Sequence, residues 1–404
     1  MNILYINHYA GSPALGMEYR PYYLAREWVR TGHAVQMLAA NFSHVRTRQP
    51  AAGDETMDGI AYRWYATPPY QGNGVGRMLN IAAFLRAVWA DMARLVREFK
   101  PQVVIASSTY PMDIWVARRI ARLARAKLVY EVHDLWPLSP IELSGMSPRH
   151  PFALLCQAAE NAAYRDADVV VSMLPKVQGH MAAHGLDLGK LHIVPNGITL
   201  DEWQGEGPPL RDDVAAALVR AHAAGHRVIG YAGSMGLPNA LNNLLDAAAL
   251  LRDEPLAFVL VGDGHEAQRL AQRAAAEGLD RVVFLPPIPK AQVPAFLAQI
   301  DIAYIGWQRV PIYRFGIAPN KLMDYMMARC PVLHAVEAGN DPVAEAGAGL
   351  TVEPESAQAV AAGLRALAAL PPAELSAMGE RGRAFVLANH TYPGLAQRFV
   401  DALA

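Results

Sequence analysis

The segment RVPIYRFGIAPNKLMDYMMARCPV, residues 309–332, begins as a polar, aromatic loop carrying Arg309, Tyr313, Arg314 and Gly316. Pro319 presets φ for a first helical turn, and NKLMDYMMA continues with helix-forming residues. Cys330-Pro331 stops the helix and feeds a short apolar strand, PVLHAV. A loop that opens onto a helix leaves unpaired N–H groups beside the positive end of the helix dipole. That arrangement suits an anion such as a phosphate. Asn320 and Lys321 fall in the first turn, and Lys321 adds a positive charge there. Asp324 lies one turn further on, within reach of sugar hydroxyls.

On either side of this segment, strands and helices alternate. In the first half, MNILYIN, AVQMLAA, IAYRWYAT, VVIASS, KLVYEVHD, DVVVSM and LHIVPN read as strands, with helical patterns or loops between them. Their near-continuous apolar character fits strands covered on both faces. The polar linker GITLDEWQGEGPPLRDD follows, and RVIGYAG, AFVLVGDG, VVFLPPI, DIAYIGW and PVLHAV then repeat the pattern. Two doubly wound parallel-sheet α/β domains are expected, residues 1–194 and 195–389, with a helix at about 390–404 crossing back onto the first. Function in such folds sits at the carboxyl ends of the strands.

Composition is compatible with this. The chain has 404 residues, enough for two full cores, and 18% charged residues, far from a disordered composition. The net charge is −1, but residues 1–190 hold 20 Lys/Arg against 15 Asp/Glu (+5), and the remainder hold 16 against 22 (−6). A basic first half suggests a face that meets something anionic. Cys156 and Cys330 share no metal-like spacing, which points to a reducing compartment. No basic leader precedes the first strand, and no run of 18 apolar residues is present.

Several strand ends carry candidate chemistry. GYAGSMG places Gly233, Ser234 and Gly236 before a helix, VGDGH places Gly262 and Gly264 where backbone can approach a flat ligand, and FLPPIP exposes backbone near Pro287. With the 309–324 loop and helix they outline a nucleotide-sized crevice. In the first half, EVHDLWP puts His133 and Asp134 at a strand end, where a His can donate to a developing charge and Asp134 can orient it or cap the next turn. The GMEYRP loop offers Gly16, Glu18 and Arg20 to a ligand. Asp166-Ala167-Asp168 matches a DxD metal motif but precedes its strand, so it reads as a helix-to-strand turn, and no catalytic metal is expected.

Taken in order, the Gly11–Gly16 loop, EVHDLWP, VPNGI, YAGSMG, VGDG, FLPPIP and APNKLMDYMMARCPV resemble glycosyltransferase family 4 over essentially the whole chain. The PNK variant looks like the bacterial O-antigen and exopolysaccharide branch. The resemblance implies the GT-B fold, two Rossmann-like domains facing across a cleft. It implies retention of configuration, a nucleotide-diphosphate sugar as co-substrate with UDP favoured, and no required cofactor. The donor would bind the second domain through Gly233, Ser234, Gly262, Gly264, Pro287, Arg309, Arg314, Asn320, Lys321 and Asp324. A glycan or polyprenyl-linked acceptor would bind the first domain near Gly16, Glu18 and Arg20, with His133 and Asp134 at the reacting centre. Nucleic acid is not an expected partner.

Two departures stand out. Of the family's two glutamates, the second position holds Asp324 and the first holds Gly316. The Arg and Lys that follow the YAG-type turn are missing, with Ser234 at the Arg position, so Lys321, Arg314, Arg309 and the helix N-terminus become the candidates for the diphosphate. A sugar-nucleotide epimerase or hydrolase, or a non-catalytic partner subunit, are the alternatives on the same fold. The expected location is cytoplasmic, or peripheral at the inner face of the cell membrane. Two basic amphipathic helices, MDIWVARRIARLARAK and RMLNIAAFLRAVWADMARLVREFK, are the expected docking elements on an anionic surface.

Overall fold

The computed structural model describes residues 1–404 other than Met17, Asn73 and Glu206, so part of the GMEYRP loop and of the linker lies outside the described residues. The chain divides into two compact units, residues 1–196 with 392–404, and residues 197–391.

In the first unit, eight strands form one sheet: β1 (Asn2–Ile6), β2 (Ala34–Ala40), β3 (Gly53–Met57), β4 (Ile60–Tyr65), β5 (Val103–Ala106), β6 (Lys127–Val132), β7 (Val169–Ser172) and β8 (Leu191–Ile193). Their order is β3-β4-β2-β1-β5-β6-β7-β8. The central strands are apolar runs, and every residue of VVIA in β5 is buried. The sheet is mixed rather than wholly parallel, because β3 pairs antiparallel with β4. The sequence GDETM is too polar to announce a strand. Asp58 and Gly59, at φ 50° and 79°, make the two-residue turn that folds it back.

The helix Tyr392–Asp401 belongs to this unit. Phe399 packs edge-on against Trp28 at 5.0 Å, and Trp28 Nε1 donates to the Ala396 carbonyl at 3.1 Å. Burial of a Phe side chain of this kind contributes about 1.5–3 kcal/mol. Phe399 is therefore a substantial anchor for the helix.

The second unit holds β9 (Arg227–Ala232), β10 (Leu256–Val261), β11 (Val282–Leu285), β12 (Ile302–Gly306), β13 (Val332–Ala335) and β14 (Gly349–Thr351), in the order β11-β10-β9-β12-β13-β14. All of these pairings are parallel. The short β14 is a strand that the apolar pattern does not announce. A Cβ at Gly349 would lie 1.9 Å from the Val332 carbonyl oxygen, so only glycine fits that crossing. Strand order reverses direction between β1 and β5 in one unit and between β9 and β12 in the other. These are the switch points where crevices form outside the strand ends.

Candidate active site

In the second unit the segment at 309–332 and the turn after β9 form one construction. The helix spans Asn320–Met327, with Pro319 as its N-cap rather than inside its first turn. Tyr325 Oη, from this helix, accepts a hydrogen bond from Ala232 N at 3.0 Å, the last residue of β9. Lys321 reaches the same turn. Its Nζ donates to Tyr231 Oη at 2.8 Å and Asn239 Oδ1 at 2.9 Å, and it lies 4.6 Å from the centre of the Tyr231 ring. A Cβ placed on Gly233 would stand 3.1 Å from that Nζ. The cation missing from the sequence after YAG is thus delivered to the Gly233 turn from another element. Burial pushes the Lys321 ammonium down to about 8.

The neighbouring loop is held rigid. Gly316 has φ 101°, a conformation that favours glycine, and Ile317 N donates to Asn340 Oδ1 at 2.7 Å. Asn320 is exposed at the first helical position. Burial, aided by Glu202 and opposed by Lys290, pushes the Asp324 carboxyl up to about 7.

The glycine turns pack on each other. A Cβ on Gly262 would come 1.9 Å from the Gly233 carbonyl oxygen, and one on Gly264 would come 2.5 Å from that of Met235. The first demand for glycine here is therefore the approach of two turns, not the approach of a ligand. Their packing leaves a cavity of about 320 Å³ bounded by Met235, Gly262, Asp263, Phe284, Leu285 and Pro287 among others. Pro287 also lends its carbonyl to Arg211 at 2.9 Å. The Ser234 carbonyl accepts from Tyr231 Oη, and the Ser234 side chain is on an exposed residue.

Arg309 departs from the expected role. Its guanidinium pairs with Glu337 at 2.9 Å and Glu353 at 3.1 Å, and its N–H donates to Glu355 at 3.0 Å. Two surface carboxylates thus pair with the guanidinium, and a diphosphate would have to compete with them for it. Arg314 is exposed and lies over the Phe315 ring at 4.3 Å.

In the first unit His133 follows β6 directly and is buried. The group that organises it is Glu131, which sequence reasoning passed over. Glu131 is fully buried and takes hydrogen bonds from Tyr5 Oη, from Ser107 Oγ at 2.6 Å and from Arg20 Nε at 2.9 Å. His133 Nε2 lies 2.9 Å from Ser107 Oγ and 3.4 Å from Glu131 Oε2. Burial works to raise the Glu131 carboxyl, but Arg20, His133 and Ser107 hold it well below the usual range. Burial works to lower His133, but the hydrogen bond and charge of Glu131 prevail and its pKa is raised. Ring orientation comes from Glu131 and Ser107, the role offered to Asp134. Asp134 is instead exposed at the cavity wall. The signal in the sequence was a lone Glu at an inward position of an otherwise apolar strand, LVYEV.

Arg20 is also not a ligand for an acceptor. It is buried against Glu131, and its remaining N–H groups donate to the Val194 carbonyl at 2.8 Å and to that of Pro195. VPNGI is thus in part a socket for Arg20. Gly16 has φ 94°, and a Cβ there would meet Thr47 Oγ1 at 2.8 Å. Glu18 precedes the helix Tyr19–Arg30 in a left-handed conformation, and its side chain makes no capping hydrogen bond.

Glu18 and Asp134 border a cavity of about 580 Å³ in this unit. Its polar wall includes Tyr9, His44, Arg77 and His150, and its apolar wall includes Val75, Met78, Leu143 and Phe152. Val75 is 72% exposed and Leu143 53%, so the apolar wall continues onto the surface. The expected docking helices share in this wall and in the core. Ile114 and Ile120 are buried in the core, Arg118 pairs with Asp166, and Arg94 pairs with Asp91, while Trp89 and Leu123 are exposed. A helix of a doubly wound unit spends its apolar stripe on the sheet, yet Val75, Met78 and Leu79 in the first turns of the helix Val75–Glu98 stay exposed. Among the described residues no helix is long and apolar enough to cross a membrane. Asp166 and Asp168 sit at the amino end of β7, tied to Arg118 and to Leu128 N.

Comparison with known proteins gives consistent answers. Residues 16–197 match the model of a glycosyl transferase 4-like domain, and residues 226–369 match that of glycosyl transferases group 1. The chain is 25% identical over 367 residues to the putative colanic acid biosynthesis glycosyl transferase WcaI of Escherichia coli, covering 85% of this chain and 87% of the relative. It is 24% identical over 292 residues to the probable glycosyltransferase WbjE of Pseudomonas aeruginosa, 71% of each chain. Among solved structures, HepE of Anabaena in complex with UDP superposes with a TM-score of 0.70 at 17% identity, over 100% of this chain and 99% of that one. WaaG, a glycosyltransferase involved in lipopolysaccharide biosynthesis, gives 0.65 at 14%, over 99% and 98%. At such identities the structures speak for the fold alone, and that fold is GT-B. On the two domain models, the relatives and the fold together, this chain belongs to glycosyltransferase family 4.

Proposed function

We propose that this glycosyltransferase moves a sugar, with retention of configuration, from a nucleotide-diphosphate sugar to a lipid-linked acceptor in the synthesis of a bacterial surface polysaccharide. The observation that carries the donor half is Lys321, whose Nζ stands against the Gly233 turn beside the N-terminus of the helix Asn320–Met327. An ammonium, a glycine turn and a helix N-terminus in one place make a cradle for a diphosphate. Asp324 holds the ribose hydroxyls, and the cavity at Gly262–Pro287 takes the base. UDP is favoured, in line with the UDP-bound structures of HepE. No cofactor is required in this reading.

Chemistry proceeds by front-face attack, with the leaving diphosphate taking the acceptor proton. His133, whose pKa is raised by the hydrogen bond and charge of Glu131, donates to developing charge at the reacting centre. The acceptor occupies the cavity of the first unit. Arg77, His44 and His150 suit the phosphates of a polyprenyl carrier, and Val75, Met78 and Leu143 suit its hydrocarbon. The enzyme works on the cytoplasmic side, with this apolar rim at the membrane surface. A donor screen by nucleotide release, with and without polyprenyl-diphosphate acceptor, tests the proposal. Release that needs both an NDP-sugar and the lipid acceptor is expected. Release without acceptor indicates a hydrolase, and no release with any donor indicates a non-catalytic subunit.

A further inference from the structure

On the first unit, away from the residues assigned above, the helices Pro151–Asp166 and Gln178–Ala183 bring Glu160, His180 and His184 together. His180 and His184 are four residues apart and so share one face of a helical turn, with ring centres 4.5 Å apart. His180 Nε2 lies 3.2 Å from Glu160 Oε1, and one ligand atom from each of the three residues falls within 4.8 Å of the others. Nitrogen and oxygen ligands at about 2.0–2.1 Å from a tetrahedral ion stand about 3.3 Å apart. The His180–Glu160 separation therefore already fits a shared ion.

A second observation asks for a cation there. Glu160 is 1% exposed, and among the described residues no Arg or Lys pairs with it. Its partners are Tyr164 Oη at 2.8 Å, Gln157 Nε2 at 2.7 Å and His180. A buried carboxylate with no Arg or Lys beside it is costly until a positive charge compensates it. Gln157 Nε2 also faces Asn161 Oδ1 at 2.8 Å and His184 Nδ1 at 3.0 Å, and His184 Nδ1 lies 3.2 Å from Asn161 Oδ1. Tyr164 and Gln157 are placed to orient the Glu160 carboxylate as outer-shell partners orient metal ligands.

We propose that Glu160, His180 and His184 bind a divalent transition-metal ion of the Zn²⁺ type, which clasps the helix Gln178–Ala183 to the helix Pro151–Asp166. Two imidazoles and one carboxylate favour Zn²⁺, Co²⁺ or Ni²⁺ over Mg²⁺ or Ca²⁺. The site is distinct from the transfer chemistry and does not depend on the function proposed above.

The test uses the full chain after chelator treatment, titrated calorimetrically with Zn²⁺ alone and, in parallel, with Mg²⁺. One Zn²⁺ per chain, a higher Tm with Zn²⁺ and no comparable response to Mg²⁺ are expected. His184→Ala and Glu160→Gln each weaken Zn²⁺ binding by about tenfold or more. Circular dichroism confirms that each variant is folded, and Glu160→Gln preserves the side-chain shape if the histidine variant fails. His33→Ala serves as the control, because His33 Nδ1 and the terminal amine, 3.0 Å apart, could chelate adventitiously. Unchanged Zn²⁺ affinity in folded His184→Ala and Glu160→Gln, loss in His33→Ala, or no binding by the folded native chain would each overturn the proposal.

Discussion

Replacing Lys321 with Met removes one charge and keeps most of the apolar stem of the side chain, one atom shorter. In the native protein two of the three ammonium hydrogens go to Tyr231 Oη and Asn239 Oδ1. The third is left for an anion at the Gly233 turn. A hydrogen bond to a charged partner contributes about 1.5–3 kcal/mol, and each 1.4 kcal/mol is about tenfold in affinity. Lys321→Met is therefore expected to weaken UDP binding by about 10- to 150-fold. The buried position adds a sharper signature. With its pKa pushed down to about 8, close to half of the Lys321 side chains are neutral at pH 8. A bound diphosphate favours the ammonium, so binding at that pH draws in up to about half a proton. Calorimetric titration with UDP at pH 8, in buffers of different ionisation enthalpy, reads affinity and proton uptake together. The native enthalpy should vary with buffer, and that of Lys321→Met should lose this variation. A variant with native affinity and native proton uptake would refute the assignment of Lys321 to the diphosphate.

Other consequences are equally direct. Glu131→Gln leaves Arg20 buried without its anion and should cost about 3–5 kcal/mol in urea unfolding. Because the folded Glu131 carboxyl is depressed, its contribution is present above the unfolded carboxyl range near 4.5 and lost as pH falls through the folded value, so the variant should show a flatter acid limb. Asp324 has the opposite sign: its raised carboxyl keeps a proton that the unfolded chain releases, so this group lowers stability as pH rises from about 4 to about 7. Asp324→Asn should remove that slope in thermal unfolding and weaken UDP binding. His133→Ala should cut turnover by about 100-fold or more while UDP affinity stays near native, and a fall in affinity alone would move His133 to the donor pocket. The full chain should co-sediment with anionic vesicles more than with neutral ones at low salt, and Val75→Asp with Leu143→Asp should abolish this. Equal, negligible binding to both by the native chain would point to a soluble acceptor.

Strands buried on both faces were legible because parallel sheets write themselves as apolar runs, as VVIA and LAFVLV do. The alternation with helices, the two domains and the loop-to-helix segment at 309–332 follow from that periodicity and from proline and glycine placement. β3 and β14 did not announce themselves, since an edge strand with a polar face and a three-residue strand carry no periodic signal. Lys321 and Asp324 were legible as candidates because a helix N-terminus has local chemistry that neighbours in sequence reveal.

What only the tertiary structure decided are the partners that converge from distant parts of the chain. Arg20, at the start of a helix, and Arg309, in a polar loop, read alike as available cations, and one is spent on a buried carboxylate 111 positions away while the other pairs with two surface glutamates. Glu131 reads as an oddity in a strand until Tyr5, Arg20, Ser107 and His133 close around it. The helices that look amphipathic give much of their apolar faces to the sheet, and the exposed apolar rim takes Val75 and Met78 from the first turn of one of them and Leu143 from another helix. Periodicity is a property of one element and can be read along the chain. The fate of a charge depends on which opposite charge the fold brings within about 4 Å and how much water is excluded there, and no single element carries that information.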